Sequence, residues 1–260
     1  MWPFNNSNWK CATEGVSCFQ LLHDDIHIWS VSLEQSLECR EILSLTLSLE
    51  EHQRARKFYF EKDRIHYIVG RGLLRKLLGR YLGLDPSALE FEYGLHGKPL
   101  LATRFSDKII EFNLSHSKDR AIYIFNWDQP IGVDIEYSQP LKDMDDFALQ
   151  FFTSNECKLI HSLPKEQKPE SFYKIWTCKE AFLKANGSGL TVPINQVEVA
   201  IHPNGTASLA SIGGDQSQAE NWRLELFSPS YGYQSALAIE KHGGQIAFHT
   251  SDKYFFDGDF

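Results

Sequence analysis

A helical pattern, a Gly-Leu turn and a strand-like run occur twice in this chain, first in LLRKLLGRYLGLDPSALEFEY and again, roughly 110 residues later, in KEAFLKANGSGLTVPINQVEVAI. A chain that repeats one mixed plan folds most economically as two related halves. The strings around each copy keep to that plan. IHIWSVSL, LEFEY, HGKPLL, IIEFNLSHS and RAIYIFNW alternate or cluster apolar residues as strands do before Pro130. PIGVDIEY, VEVAIH, TASLASI, WRLELF and SALAIE do so after it, with helices expected over Asp145 to Ser162 and Ser171 to Asn186. The expected fold class is α+β: two pseudo-twofold-related halves, each a small, mainly antiparallel sheet packed by helices. The halves run over 21–128 and 129–242, with a boundary near Trp127 to Pro130. Residues 1–20 read as a loose N-terminal arm, and 243–260 as a C-terminal extension with no counterpart in the first half.

Such duplication places a concave site in the seam, where a cleft forms without breaking either core. An internal pseudodimer also removes the need to pair chains, so a monomer is expected. With 26 Lys and Arg against 34 Asp and Glu, the net charge of −8 disfavours nucleic acid and anionic membranes as partners. No apolar run reaches the ~20 residues of a membrane span and no signal-peptide pattern opens the chain. A cytoplasmic protein is expected. Its five cysteines, without C-x-x-C or zinc spacing, read as reduced thiols.

Three constellations could carry chemistry. Asp134 and Glu136 lie two apart in the apolar strand IGVDIEY, so both carboxylates project from the face opposite Val133 and Ile135. That face is either the solvated side of an edge strand or a seat for Mg²⁺, which is held by one or two carboxylates together with phosphate oxygens. Gly132, just before, would admit another backbone. In WTCKEAFLK, Glu180 and Lys184 share a helix face at i and i+4, either as a surface ion pair or as a further metal ligand or base beside a phosphate-directed cation. In HGKPLL and FNLSHS, a turn fixes Lys98, while Ser115 and His116 sit where a hydroxyl and an imidazole could donate to phosphate oxygens or merely stabilise a turn. No Walker loop and no G-x-S-x-G occurs.

In this order GKP, FNLSHS, IGVDIE and WTCKEAFLKANGSGL resemble the signature set of the 4′-phosphopantetheinyl transferases, in the larger pseudodimeric form that activates nonribosomal peptide and polyketide synthases. The resemblance runs from about Glu50 to Glu240. It implies coenzyme A bound between two α+β halves and its phosphopantetheine arm transferred to a serine of an apo acyl or peptidyl carrier protein, with release of 3′,5′-ADP. It further implies Mg²⁺ held by Asp134, Glu136 and Glu180, with Lys184 on the pyrophosphate. Ser115 and His116 would reach the phosphates from the other half, and Lys98 the 3′-phosphate end. Glu180 is the candidate for taking the serine proton, so Asp134, Glu180 and Lys184 form the catalytic set.

The family's paired basic residues before the Arg-rich helix are reduced here to Arg54, within Glu51-His52-Gln53-Arg54, with Arg64 or Arg71 to assist. Acidic carriers and an acidic enzyme would meet through an apolar dock, for which Phe147, Leu149, Phe151 and Phe152 are candidates. Two other classes fit the same residues: a non-catalytic coenzyme A or carrier-binding regulator, and a metal-dependent phosphodiesterase.

Overall fold

The computed structural model describes residues 9–11 (backbone only), 20–94, 97–102, 109–187, 192–240 and 244–250. The rest of the expected arm, the end of the C-terminal extension and most of the Gly187 to Leu190 turn lie outside the described residues.

The first half runs β2 (Ile26–Ser32), α1 (Leu37–Leu45), α2 (Leu49–Ala55), α3 (Glu61–Leu82), β3 (Phe91–Tyr93), β4 (Pro99–Leu101), β5 (Ile110–Ser117) and β6 (Arg120–Trp127). The second runs β7 (Ile131–Tyr137), α4 (Met144–Phe151), α5 (Ser154–Ser162), α6 (Lys168–Ala185), β8 (Val197–Ile201), β9 (Ala207–Ile212), the short α7 (Gln216–Ala219), β10 (Trp222–Phe227) and β11 (Tyr233–Glu240). Apart from α7 the order is the same. The sheets agree as well: β5-β6-β2 and β10-β11-β7 are both antiparallel with equivalent strands in equivalent places.

Side-chain alternation stacks these elements in four layers. Trp29, Val31, Tyr123 and Phe125 face α1 and α3 in one core, while Ile28, Ile122 and Ile124 face the other way. There they meet Ile131, Val133, Ile135, Leu237 and Ile239 across a seam of branched aliphatic side chains. Ala236 and Ala238 of the second sheet turn outward to α6 and its core.

The same polar device recurs in each half. Ser48 and Glu51 form a capping box at α2, and Thr153 and Glu156 form one at α5. Each glutamate is buried against cations of the long helix behind it: Glu51 takes Arg71 and Arg75, and Glu156 takes Lys179 at 2.7 Å. Thr153 corrects one expectation, because its box ends the helix foreseen over Asp145 to Ser162 and starts a second. Asn186, which with Gly187 is one of the two residues the sequence offers as a left-handed stop, closes α6 with φ −71°, outside that region. Gly83 does close α3 in the left-handed region, with φ 65°.

The termini depart most from expectation. Trp9–Cys11, within the stretch foreseen as loose, forms β1, and Ile246–Thr250 of the extension forms β12. Both join the first half's sheet, in the order β1-β12-β2 with parallel pairing. The last described strand therefore crosses back to the front half. Ile246 and Phe248 fill the seam, while His249 stacks on Trp29 with ring centroids 4.3 Å apart.

Beside it, Trp29 Nε1 donates to the Tyr81 hydroxyl at 2.8 Å, and the same hydroxyl is hydrogen-bonded to His27 Nδ1 at 2.7 Å. Neither ring nitrogen of His249 has a hydrogen-bond partner among the described residues. Burial, with the neighbouring His249 adding to it, holds His27 at about 3, and burial holds His249 at about 4, against an ordinary 6.5. In the unfolded chain both rings protonate first as the pH falls. Their contribution to stability is thus complete above about pH 6.5 and is lost progressively toward pH 4 and below. We expect His249→Phe, which keeps the stacking, to recover on the order of 2 kcal/mol of the stability that wild type loses between pH 7 and 5. Denaturant unfolding at the two pH values checks this; equal losses in both proteins would refute it.

Candidate active site

The site begins with one glycine. Gly132 of β7 faces α6 at Ala181 and Ala185, and a Cβ built on it would fall inside contact distance of the Ala181 carbonyl oxygen and the Ala185 nitrogen. The strand and helix backbones approach this closely because both sides are small. Strand alternation then places Asp134 and Glu136 on the face of Gly132, beneath the helix that carries Glu180 and Lys184. Together with Trp176 they line a cavity of about 430 Å³, whose remaining wall is Leu114, Ser115 and His116 of β5. Both halves supply the site. The D-x-E face is not a solvated edge, since α6 covers it and Asp134 is buried.

Lys184 does not form the surface pair with Glu180 that i,i+4 spacing allows. Its Nζ lies 2.6 Å from Asp134 Oδ1 and 2.9 Å from Ser115 Oγ, and Ser115 Oγ itself donates to Asp134 Oδ1 at 2.8 Å. Asp134 Oδ2 is buried with no hydrogen-bond partner among the described residues. Burial raises the Glu136 carboxyl above the ordinary carboxylate range, and the charge of Asp134 adds to this against a hydrogen bond from Ser117. Glu180 is raised by burial and then by Asp134, with Lys184 opposing. The His116 imidazole is lowered by its surroundings and by Lys184.

The three carboxylates share one cavity wall rather than closing around one point. Among the described residues no group of three or more Asp, Glu, His or Cys side chains is gathered tightly enough to hold an ion as it stands. The Lys184 ammonium lies against Asp134 in this arrangement. The donor set nonetheless suits a hard divalent cation. It is all oxygen, one buried carboxylate oxygen lacks a partner, and three carboxylates exceed the one lysine that opposes them.

Lys98 departs from its expected place. Its turn forms as foreseen, with Gly97 at φ 76°, but its ammonium donates to the backbone carbonyls of Ile131 at 3.2 Å and Lys184 at 3.3 Å. There it satisfies a carbonyl at the end of α6, and burial lowers its pKa, against the pull of Glu111. It ties the turn of one half to the helix of the other and does not line either cavity of the site.

Through Leu114 and His116 the carboxylate cavity adjoins a larger one of about 670 Å³, lined by Arg54, Phe58, Lys62, His66, Tyr67 and Tyr93 among others. Arg54 lines this cavity, its guanidinium 5.7 Å from the Tyr67 ring. Arg71 reaches this wall too, but its guanidinium is committed to Glu51 and to the Tyr93 hydroxyl at 2.7 Å. Arg64 pairs with Glu61 at the surface. Lys62, His66, Tyr67 and Tyr93 were missed in the sequence. The first three lie on one helix, His66 and Tyr67 four and five residues after Lys62, a signal that becomes readable only once that face is known to border a cleft.

Models of two related families match the chain: "4′-phosphopantetheinyl transferase, N-terminal" over residues 29–124 and "4′-phosphopantetheinyl transferase superfamily" over residues 130–238. Among curated proteins, 4′-phosphopantetheinyl transferase HetI of Nostoc sp. is 39% identical over 88% of this chain and 93% of its own length. Sfp of Bacillus subtilis, also named a 4′-phosphopantetheinyl transferase, is 32% identical over 63% of this chain and 70% of its own. A phosphopantetheinyl transferase of Thraustochytrium sp. is 29% identical over 78% and 73%. The matches thus span both halves of the plan and the seam where β5, β7 and α6 meet, and on that span the chain belongs to the 4′-phosphopantetheinyl transferase superfamily.

Proposed function

We propose that the chain transfers the 4′-phosphopantetheine group of coenzyme A to a serine hydroxyl of an apo acyl or peptidyl carrier protein, with release of 3′,5′-ADP. The observation that carries this reading is the single cavity in which Ser115 and His116 of one half face Asp134, Glu136, Glu180 and Lys184 of the other. In the reaction the carrier serine oxygen bonds to the phosphorus that bears pantetheine. The bond from that phosphorus to the bridging oxygen of the adenylate side breaks, and the released phosphate keeps the electron pair.

Lys184 is placed to neutralise charge on the pyrophosphate, while His116 directs an N–H to the same oxygens; Ser115, whose hydroxyl donates to Asp134 in this arrangement, would reach them by turning that O–H to the substrate. Glu180 takes the serine proton. Mg²⁺, held by Asp134, Glu136 and Glu180, would supply neutralising charge at the pyrophosphate when bound. The larger cavity, with Arg54 and Lys62 on its wall, takes the nucleotide end.

The carrier docks on α4, where Phe147 and Leu149 stand exposed, while Phe152 is buried and Phe151 packs partly into the core. Two of the four aromatic and aliphatic side chains foreseen for docking are thus free for it. The chain acts as a monomer, its two halves doing what a pair of subunits would. No helix among the described residues is long and apolar enough to cross a membrane.

Incubation of the full chain with Mg²⁺, coenzyme A and an apo carrier should add roughly 340 Da to the carrier, the mass of a phosphopantetheine arm in phosphodiester linkage. Coenzyme A consumed with free phosphopantetheine as product would show a phosphodiesterase instead. Coenzyme A bound but unconsumed across fatty acid, polyketide and peptide carriers would show a regulator.

A further inference from the structure

We infer that Ser117, at the end of β5, is a positioning residue that orients Glu136 from the opposite half. The free edge of β7 decides this. On one side β7 is bonded to β11, while on the other it lies beside β5, a strand of a different sheet. Two side chains of β5 bridge that gap. Asn113 Oδ1 accepts the Val133 N–H at 3.1 Å, and Ser117 Oγ accepts the Tyr137 N–H at 3.1 Å. An amide can only donate, so the serine oxygen is the acceptor there and its own proton remains free. That proton goes to Glu136 Oε2, 2.9 Å away.

One hydroxyl therefore clamps the strand backbone and the side chain of the preceding residue together. Ser115, two residues back on the same face of β5, donates to Asp134 in the same manner. The consequence is specific to Glu136. Among the described residues Asp134 has Lys184 and Ser115 to hold it, whereas Glu136 takes its side-chain hydrogen bond from Ser117. A glutamate has three side-chain torsions to fix, and without that bond it would enter the cavity in many conformers rather than one. Groups that orient a ligating carboxylate act on affinity for the ion without touching it.

The inference rests on the reading of this cavity as a metal-dependent transfer site, so the experiment separates the two. Wild type, Ser117→Ala and Ser117→Thr are titrated with Mn²⁺ in the presence of coenzyme A. Free Mn²⁺ is followed by its paramagnetic resonance signal, corrected for Mn²⁺ held by coenzyme A alone, and amide hydrogen exchange at Tyr137 is measured in parallel. Ser117→Ala should weaken Mn²⁺ binding on the order of 10-fold and speed exchange at Tyr137. Ser117→Thr, which keeps the hydroxyl, should bind like wild type. Affinity in Ser117→Ala equal to wild type, or a threonine variant as weak as the alanine one, overturns the inference and leaves the site reading intact. A wild-type chain that takes up no Mn²⁺ overturns the site reading and the role of Ser117 with it.

Discussion

Replacing Asp134 by alanine should lower phosphopantetheine transfer by about 10³-fold while shifting the unfolding midpoint by only a few degrees. Asp134 is the centre of the site's polar contacts: its Oδ1 receives Lys184 and Ser115, and its Oδ2 is buried without a hydrogen-bond partner among the described residues. On the proposed reading, removing the carboxylate would delete a metal ligand and also release Lys184, so two charges proposed to act on the pyrophosphate would be misplaced by one change. Stability should survive, because the Lys184 side chain is 29% exposed and can turn to water. Asp134→Asn tests charge apart from shape and should lose nearly as much. Carrier mass shift under single-turnover conditions gives the rates, and turnover within a factor of a few of wild type would remove Asp134 from the mechanism.

Gly132→Ala should cost about 3 kcal/mol or more, a fall of roughly 6 to 12 °C in the thermal midpoint for a chain of this size. The added methyl meets the carbonyl oxygen of Ala181 and the nitrogen of Ala185, which are backbone atoms in the last turns of a packed helix and cannot swing aside as a long side chain would. Relief requires α6 to lift from β7. Since α6 carries Glu180 and Lys184 while β7 carries Asp134 and Glu136, the lift opens the cavity as well. Transfer measured well below the new midpoint should therefore fall together with stability. An alanine variant that unfolds like wild type would show that strand and helix are less tightly apposed than this.

Residues that lie close in sequence were read correctly where one period governs them. The alternation in IGVDIEY put Asp134 and Glu136 on one face, the i,i+4 spacing put Glu180 and Lys184 on another, and Gly132 pointed to a close neighbour without naming it. Local signals were also overlooked: the Thr153 to Glu156 box that splits α4 from α5 could be read from T-x-x-E. Helix α1 is harder, since Leu43 alone of its residues is buried and little periodicity marks it.

Other features had no local trace. Arg71 is a candidate phosphate-gripping cation in a basic helix, yet with Arg75 it turns inward to Glu51, a capping-box residue twenty positions before it. Lys98 in GKP looks like a ligand for the nucleotide, yet its ammonium meets two carbonyls of the opposite half. The strand Ile246–Thr250 was recognisable as apolar, but its place between β1 and β2 depends on partners more than two hundred residues away.

Residue identity and spacing were enough to set the duplicated α+β plan and the strand and helix that carry the acidic groups, because these follow from short-range periodicity and from which side chains stand at given intervals. Folding in three dimensions decided which cations face the cavity, that Lys184 meets Asp134 rather than Glu180, and that β5 of one half clamps β7 of the other. Those outcomes depend on burial, which makes each buried charge or amide find its partner among whatever groups the packing brings near, however distant along the chain.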